Sequence, residues 1–503
     1  MRAKALKLNT LTTLLGEMVA LVCGLILPRL ILVNFGSNVN GLVSSITQFL
    51  SFSTVLRAGV GGVTRAALYK PLADNDSEQI SAVMAATNSY MKKRGLIIAG
   101  GVVAFSLVYP FMVIEEYDWW YSCLMVLVLG AVTFAENFFG IKNMLLLQAD
   151  QKMYIQNIAS TISYFASFLA SILLINLGLD MLIVKFGTLA TFLLKPIFLE
   201  VYVRKNYKLD SKAQPNDKAL KNRWDAFAQQ LAIIINGNID IVLITMFSAL
   251  GNVSVYTVHC MVVNNIGKVV QSSVSGIGSI YGNMLAKGEK ENLKRAFSFI
   301  EWGLFALSTV IFAVTAFMIS PFVSIYTRSI TDVDYHQPLF AFLLVVAMLL
   351  NTLRIPYQSV TEAAGHFKQT RNGSILEVIV HVIVSGVLLI VFGIAGVVVG
   401  AVVSAVIRTL QYSVYSAKNI LGLSVWHIAK NYLVYFATFA LCLFACSLIP
   451  ITAPNDYLEW CLLAAVVSLV CFAIVIVASL IFNISDVKYL YARIFTKRVK
   501  KKQ

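Results

Sequence analysis

Apolar runs of about 20 residues, the length that crosses a bilayer core as a helix, recur fourteen times along this chain. They centre near residues 20, 54, 104, 130, 163, 191, 236, 269, 309, 348, 380, 406, 438 and 469, with short polar connectors between them. The pattern predicts an all-α polytopic membrane protein of about 14 transmembrane helices. The first run, from about Leu11 to Val33, is too long for a signal-peptide core and lacks a small-residue cleavage site, so it reads as the first span.

The longest polar stretch, RKNYKLDSKAQPNDKALKNR, separates the sixth run from the seventh. A shift of 215 residues aligns the halves on either side of it: Gly36 falls on Gly251, Gly61 on Gly276, Ala149 on Ala364, Asn157 on Asn372, and Gly178 on Gly393. We read a tandem repeat with these boundaries: an N-terminal six-helix lobe over 1–205, a link over 206–222, a second six-helix lobe over 223–420, and two extra helices with a basic tail over 421–503. Each repeat has an even number of spans, so both enter from one side. The implied pseudo-two-fold axis runs along the membrane normal, as in parallel-repeat transporters that rock about a central cleft. Gly24, Pro28, Pro196 and Pro356 are candidate hinges. Gly278-x-x-x-Gly282 and Gly396-x-x-x-Gly400 are candidate close helix contacts.

Composition agrees: 58% of residues are hydrophobic and only 13% charged. The net charge of +15 sits in alternate connectors and at the two ends. That distribution argues for topology-setting charge and against nucleic-acid binding. By the positive-inside rule both termini are cytoplasmic. The seven cysteines lie in apolar runs without metal-ligand spacing and read as small buried hydrophobes. No metal or other cofactor is expected, and no Walker A sequence points to ATP.

Five basic residues change the picture. Arg57, Lys195, Lys268, Arg354 and Arg408 lie deep inside apolar runs. One such residue at a bilayer centre costs about 2.5–3.5 kcal/mol on insertion scales. Five imply a place away from lipid, such as a water-filled cavity, and a cationic cavity suggests an anionic passenger. Arg29 and Arg65 lie nearer span ends, where snorkelling is the simpler reading. Acids within the spans, namely Glu17, Glu136, Asp240, Glu301 and Glu377, offer a second explanation, because intramembrane charges commonly pair. The two readings are compatible: a carboxylate can hold an arginine whose outer face stays available. In the second span, Arg57, Gly61 and Thr64 share a small or polar face with Ser53 and Thr54. In the eighth, Asn264, Asn265, Lys268, Gln271, Ser272, Ser273 and Ser275 form a polar stretch suited to a wet lumen. The planar arginine fork suits phosphate oxygens.

The stretch LPRLILVNFGSNVNGLVSSITQFLSFSTVLRAGVGGVTRAAL resembles the first two helices of the polysaccharide transporter family, the Wzx-type O-antigen and oligosaccharide flippases. These belong to the multidrug/oligosaccharidyl-lipid/polysaccharide exporter superfamily. Pro28-Arg29, Gly36, Asn40-Gly41, Arg57-Ala58-Gly59 and Arg65 carry the likeness, with LLLQADQKMYIQN and TEAAGHFKQTRN at later junctions. The resemblance implies a flippase that moves polyprenyl-pyrophosphate-linked oligosaccharide from the cytoplasmic to the outer leaflet of the bacterial inner membrane, for surface polysaccharide biosynthesis. It implies alternating access, a cationic lumen and an ion gradient. Arg57 and Lys268 stand where related flippases place lumen basic residues. Fourteen spans also resemble the lipid II flippase branch, in which an acidic residue of the seventh helix, with groups of the eleventh and twelfth, serves sodium. That makes Asp240 and Glu377, with Glu17, the ion-coupling candidates, and His381 a possible proton carrier or simply a packed histidine. Expected partners are the lipid-linked oligosaccharide, the bilayer and glycan polymerase or assembly proteins, with the chain itself a monomer.

A multidrug exporter of the same fold is the main alternative, although an acidic pocket would suit organic cations better. A membrane glycan polymerase or ligase would need a larger outer loop than Pro321 to Gln337, whose Arg328, Asp332, Asp334 and His336 read as solvated. A structural scaffold leaves the buried cations unexplained.

Overall fold

A computed structural model describes residues 2–57, 60–135, 138, 140–207, 209–210, 224–274, 276–449 and 454–488. Among these residues every regular element is helical. The chain forms two compact units, Met1–Thr257 and Val258–Gln503.

The first unit opens with α1 (Arg2–Ser51), which runs straight through Pro28 but is broken at Gly36, where φ is 83° and ψ 177°. Only glycine enters that region without strain. A 3₁₀ turn (Phe52–Arg57) leads into α2 (Val60–Ala73). Then follow α3 (Ser77–Val108), α4 (Trp119–Ala135), α5 (Ile141–Ala149), α6 (Met153–Asn176), α7 (Met181–Phe192), α8 (Leu194–Asn206) and α9 (Trp224–Phe247). Helix α10 (Leu250–Ser273) begins in this unit and ends in the next. The second unit continues with α11 (Ile277–Ala286), α12 (Lys290–Tyr326), α13 (Pro338–Leu353), α14 (Ile355–Ala363), α15 (Phe367–Phe392), α16 (Ile394–Ser416), α17 (Val425–Ser447) and α18 (Tyr457–Phe482).

Among the described residues ten helical runs are long and apolar enough to cross a membrane, and Trp119–Ala135 and Leu231–Phe247 are shorter apolar helices. Dividing the first run at Gly36 and adding α10–α11, which is too polar to qualify by hydropathy, gives the fourteen passes read from the sequence. Large apolar side chains such as Leu169, Leu173, Ile390, Leu458 and Leu469 point outward, each at least half exposed. Helices with fully bonded backbones and apolar outer surfaces are what a bilayer admits. The chain is a multi-pass membrane protein.

The internal repeat is visible in the backbone. Positive-φ residues precede equivalent helices: Asn75 (54°) and Gly288 (69°) before α3 and α12, Gln151 (59°) and Gly365 (75°) before α6 and α15, and Gly178 (71°) and Gly393 (61°) before α7 and α16. These pairs are 213, 214 and 215 residues apart. The tenth pass is divided into α13 and α14, and the fourth holds α4 and α5 with π-helical residues 138 and 140 between them. The Gly36–Gly251 pair diverges, because Gly251 lies within α10 and its turn is made by Ser248-Ala249 instead.

Inside the first unit, hydroxyls and amides tie the second half of α1 to its neighbours. Thr245 of α9 and Tyr109 both donate to Ser45, at 2.8 and 3.1 Å. Ser51 donates to Asn238 at 2.8 Å, and Asn40 donates to Ser254 at 2.7 Å. Such bonds within a membrane contribute about 0.6–2 kcal/mol each. In the second unit, α15 and α16 lie so close that a Cβ on Gly396 would stand 2.0 Å from the Leu388 carbonyl oxygen, and one on Gly400 2.1 Å from Ser385 Oγ. Gly396 and Gly400 are therefore packing residues. Gly278 and Gly282 have nothing within 4 Å of an added Cβ, so that pair makes no such contact among the described residues.

Candidate functional site

The tenth pass breaks at Arg354. Pro356, at the start of α14, has no N–H to donate back into α13, and Arg354 occupies the junction. Its Nη1 donates to Glu377 Oε1 on α15 at 2.7 Å. The second Glu377 oxygen lies 3.4 Å from Arg408 Nε on α16. One buried carboxylate thus serves two guanidinium groups, and the trio carries a net charge of +1.

The two arginines are held differently. Arg408 is 3% exposed. Its Nη1 donates to the Thr370 carbonyl (3.0 Å) and Gln411 Oε1 (2.6 Å), and its Nη2 to Ser374 Oγ (2.6 Å) and Tyr412 OH (2.8 Å). The guanidinium also sits 4.1 Å from the Tyr412 ring centre. Every nitrogen of Arg408 is engaged, so it is an anchor. Gln411 fits only because residue 373 is glycine: a Cβ there would stand 1.6 Å from Gln411 Oε1. Arg354 keeps 21% of its side chain exposed. It is the member of the trio with an accessible edge.

Lys268 is exposed on α10 and makes no ion pair among the described residues. Lys195 is half-buried on α8, just past the α7–α8 break at Leu193, and is likewise without an acidic partner among them. Arg57 closes the 3₁₀ turn, and its side chain lies outside the described residues, as does that of Glu136. Arg29 is half-buried beside Pro28. Arg65 donates to the neutral Gln148 Oε1 at 2.9 Å, and Gln148 in turn donates to Gln156.

Among the candidate acids, Glu377 is committed to the two arginines. Asp240 accepts from Tyr256 OH at 2.6 Å. Glu17 is exposed on α1, where the sequence reading has a buried acid. His381, one turn beyond Glu377, is 4% exposed and packed. The Pro321–Gln337 segment is shorter as a loop than expected, because α12 continues through Pro321 to Tyr326.

Lys185 on α7 escaped the sequence reading, although MLIVKFG places it inside an apolar run; it is half-buried and unpaired among the described residues. The four-acceptor cradle around Arg408 was also missed. Its spacing over Thr370, Ser374, Gln411 and Tyr412 shows only once α15 and α16 are laid side by side. At one end of the first unit, Tyr207 donates to Asp150 at 2.5 Å and Lys152 pairs with the same carboxylate at 2.7 Å. Burial first, and Asp150 second, push the Tyr207 hydroxyl above its ordinary range.

No family model and no curated protein sequence matches the chain. Solved structures do. The lipid II flippase MurJ in an inward closed conformation superposes with a TM-score of 0.73 over 94% of this chain and 99% of its own, at 14% identity. The fold is one that this chain shares with a lipid II flippase and with multidrug transporters. An inward-facing multidrug resistance MATE transporter of the MOP superfamily gives 0.67 over 81% of this chain and 98% of its own, at 15% identity. A MOP-superfamily transporter from Pyrococcus furiosus, described as having a binding pocket of reversed polarity, gives 0.56 over 82% and 96%, also at 15% identity. Identities this low establish architecture, and the function has to be argued from the charges.

Proposed function

We propose that this protein is a flippase for an anionic, lipid-linked headgroup, of the polyprenyl-pyrophosphate oligosaccharide class, and that it works by alternating access in a bacterial inner membrane with both termini cytoplasmic. The observation that carries this reading is the uncompensated positive charge within the membrane passes. Arg354 and Arg408 divide a single carboxylate, and Lys268 and Lys195 have no acid partner among the described residues. A bare cation costs several kcal/mol within hydrocarbon, so such groups imply a hydrated path and a ligand of opposite charge. Arginine binds phosphate oxygens in pairs through its fork, and Arg354 alone in the trio has an edge to offer. Arg57, Arg29 and Arg65 are further proposed substrate-binding cations of the first unit. Asp240, Glu377 and Glu17 remain the proposed acids for coupling to an ion gradient.

The likeness to a lipid II flippase over nearly the whole chain supports a lipid-linked passenger. The likeness to multidrug transporters keeps a cation antiporter in view, and its different charge preference makes it testable. Cells carrying Arg354→Ala or Lys268→Ala should lose surface glycan while membrane levels of the protein stay normal. Unchanged glycan in both, together with lost resistance to cationic dyes on deletion, would replace the flippase reading by the multidrug one.

A further inference from the structure

A second buried carboxylate lies away from the arginines, and none of them serves it. Glu301, in the inner turns of α12, is 3% exposed. Tyr357 OH of α14 donates to its Oε1, and Asn431 Nδ2 of α17 donates to its Oε2 at 3.2 Å. No lysine, arginine or histidine pairs with it among the described residues. Aromatic rings wall the site: Phe305 stacks on Tyr435 at 3.9 Å, Phe297 meets Tyr357 at 5.1 Å, and Tyr281 of α11 meets Phe297 at 6.2 Å.

Two facts indicate that something is bound here. A buried carboxylate without a countercharge is costly by several kcal/mol, and two neutral donors do not cancel a full charge. In addition, the Tyr281 side chain is 0% exposed and its hydroxyl has no hydrogen-bond partner among the described residues, while its ring packs through Phe297 onto Tyr357, the donor to Glu301. Buried polar groups are ordinarily satisfied. The remaining charged groups nearby do not supply the countercharge. Asp486, beyond α18, adds further negative charge, and Arg295 and His427 act on Asp486. Tyr432 and Tyr435 of α17 are neutral.

We infer that Glu301, with the hydroxyl oxygens of Tyr281 and Tyr357 and with the Asn431 amide holding its second oxygen, forms a binding site for one monovalent cation, a proton or Na⁺. Either neutralises the carboxylate, and the site joins α17 to α11, α12 and α14 when filled. The thirteenth pass, otherwise without a role, becomes the element whose docking depends on that cation. The inference does not rest on the identity of the transported substrate, so it stands or falls apart from the flippase reading.

The test uses the purified full-length protein in lipid nanodiscs. Radiosodium binding and pH-difference infrared spectra of the protonated-carboxyl stretch are measured for the wild type, Glu301→Gln and Tyr281→Phe, each checked for a monodisperse elution profile. A sodium site predicts saturable radiosodium binding that is lost in Glu301→Gln and weakened several-fold in Tyr281→Phe. A proton site predicts no such binding, but a titrating carboxyl band that disappears in Glu301→Gln and shifts in frequency in Tyr281→Phe. Tyr281→Phe removes a single hydroxyl, so it keeps the question open to measurement should Glu301→Gln fail to fold. Absence of both signals from the wild type, or their persistence unchanged in the variants, overturns the inference.

Discussion

Arg354 and Glu377, 23 residues apart in sequence, meet at 2.7 Å across the junction of the broken tenth pass with α15. The contact sets a break in one helix against the middle of the next. It also leaves about a fifth of the Arg354 side chain exposed within a membrane pass.

Removing Glu377 should be worse than removing the whole trio. Glu377→Ala strands two guanidiniums, one almost fully buried, at a cost of about 3–5 kcal/mol. The triple replacement Arg354→Met, Glu377→Leu, Arg408→Met leaves no charge to strand and should melt much closer to the wild type, while losing transport. Thermal unfolding in detergent checks the order. A Glu377→Ala protein as stable as the wild type would contradict the shared-carboxylate arrangement.

Gly373→Ala should uncouple the anchor. The new methyl group takes the place of the Gln411 amide oxygen, which must swing away and leave Arg408 one acceptor short. Loss of a hydrogen bond from a charged donor costs about 1.5–3 kcal/mol. Gly373→Ala combined with Gln411→Ala should recover part of the lost stability, because the clash is gone.

Gly393→Ala should cost about 1–3 kcal/mol through backbone strain alone. Its φ of 61° with ψ of −149° lies where a Cβ is not tolerated, and no neighbouring atom comes within 4 Å. Gly303→Ala, a helical position with equally open space, is the control and should change the melting temperature little.

Gly41→Ala should be more damaging than either. The added Cβ would stand 2.0 Å from the backbone oxygen of Leu250, and backbone at a helix start has nowhere to go. A marked fall in expression and melting temperature is expected, with Gly24→Ala, which meets nothing, unaffected.

Lys268→Ala should separate stability from function. An exposed side chain without an ion pair can be removed at a cost within about 0.5 kcal/mol. On the flippase reading the same change abolishes glycan export. Normal melting with normal export would remove Lys268 from the proposed cationic path.

Much of this architecture was legible in the chain itself. Apolar length gave the number of passes, and the constant offset between Gly178 and Gly393 marked a repeat whose turns share positive φ angles. Pro356 marked a helix break and Gly396-x-x-x-Gly400 a close contact. These features are written locally, in side-chain type and spacing, and no distant residue is needed to read them. The same local reading put Gly278-x-x-x-Gly282 in contact and Glu17 among buried acids, because spacing does not reveal which face of a helix finds a neighbour.

The roles of the charges were decided only by the tertiary structure. Sequence placed five cations and several acids within the membrane, but which carboxylate meets which cation depends on how α13 to α16 stack. Glu377 went to two arginines, and Glu301 to none. A charge in a low-dielectric interior is governed by its partner a few ångströms away, and those partners come from helices 23 to 130 positions distant in the chain. The sequence therefore determined that this is a many-helix membrane protein with a surplus of positive charge along its apolar runs. Packing determined that Arg408 is a fixture, that Arg354 keeps an open edge, and that Glu301 is left with a charge for a small cation to neutralise.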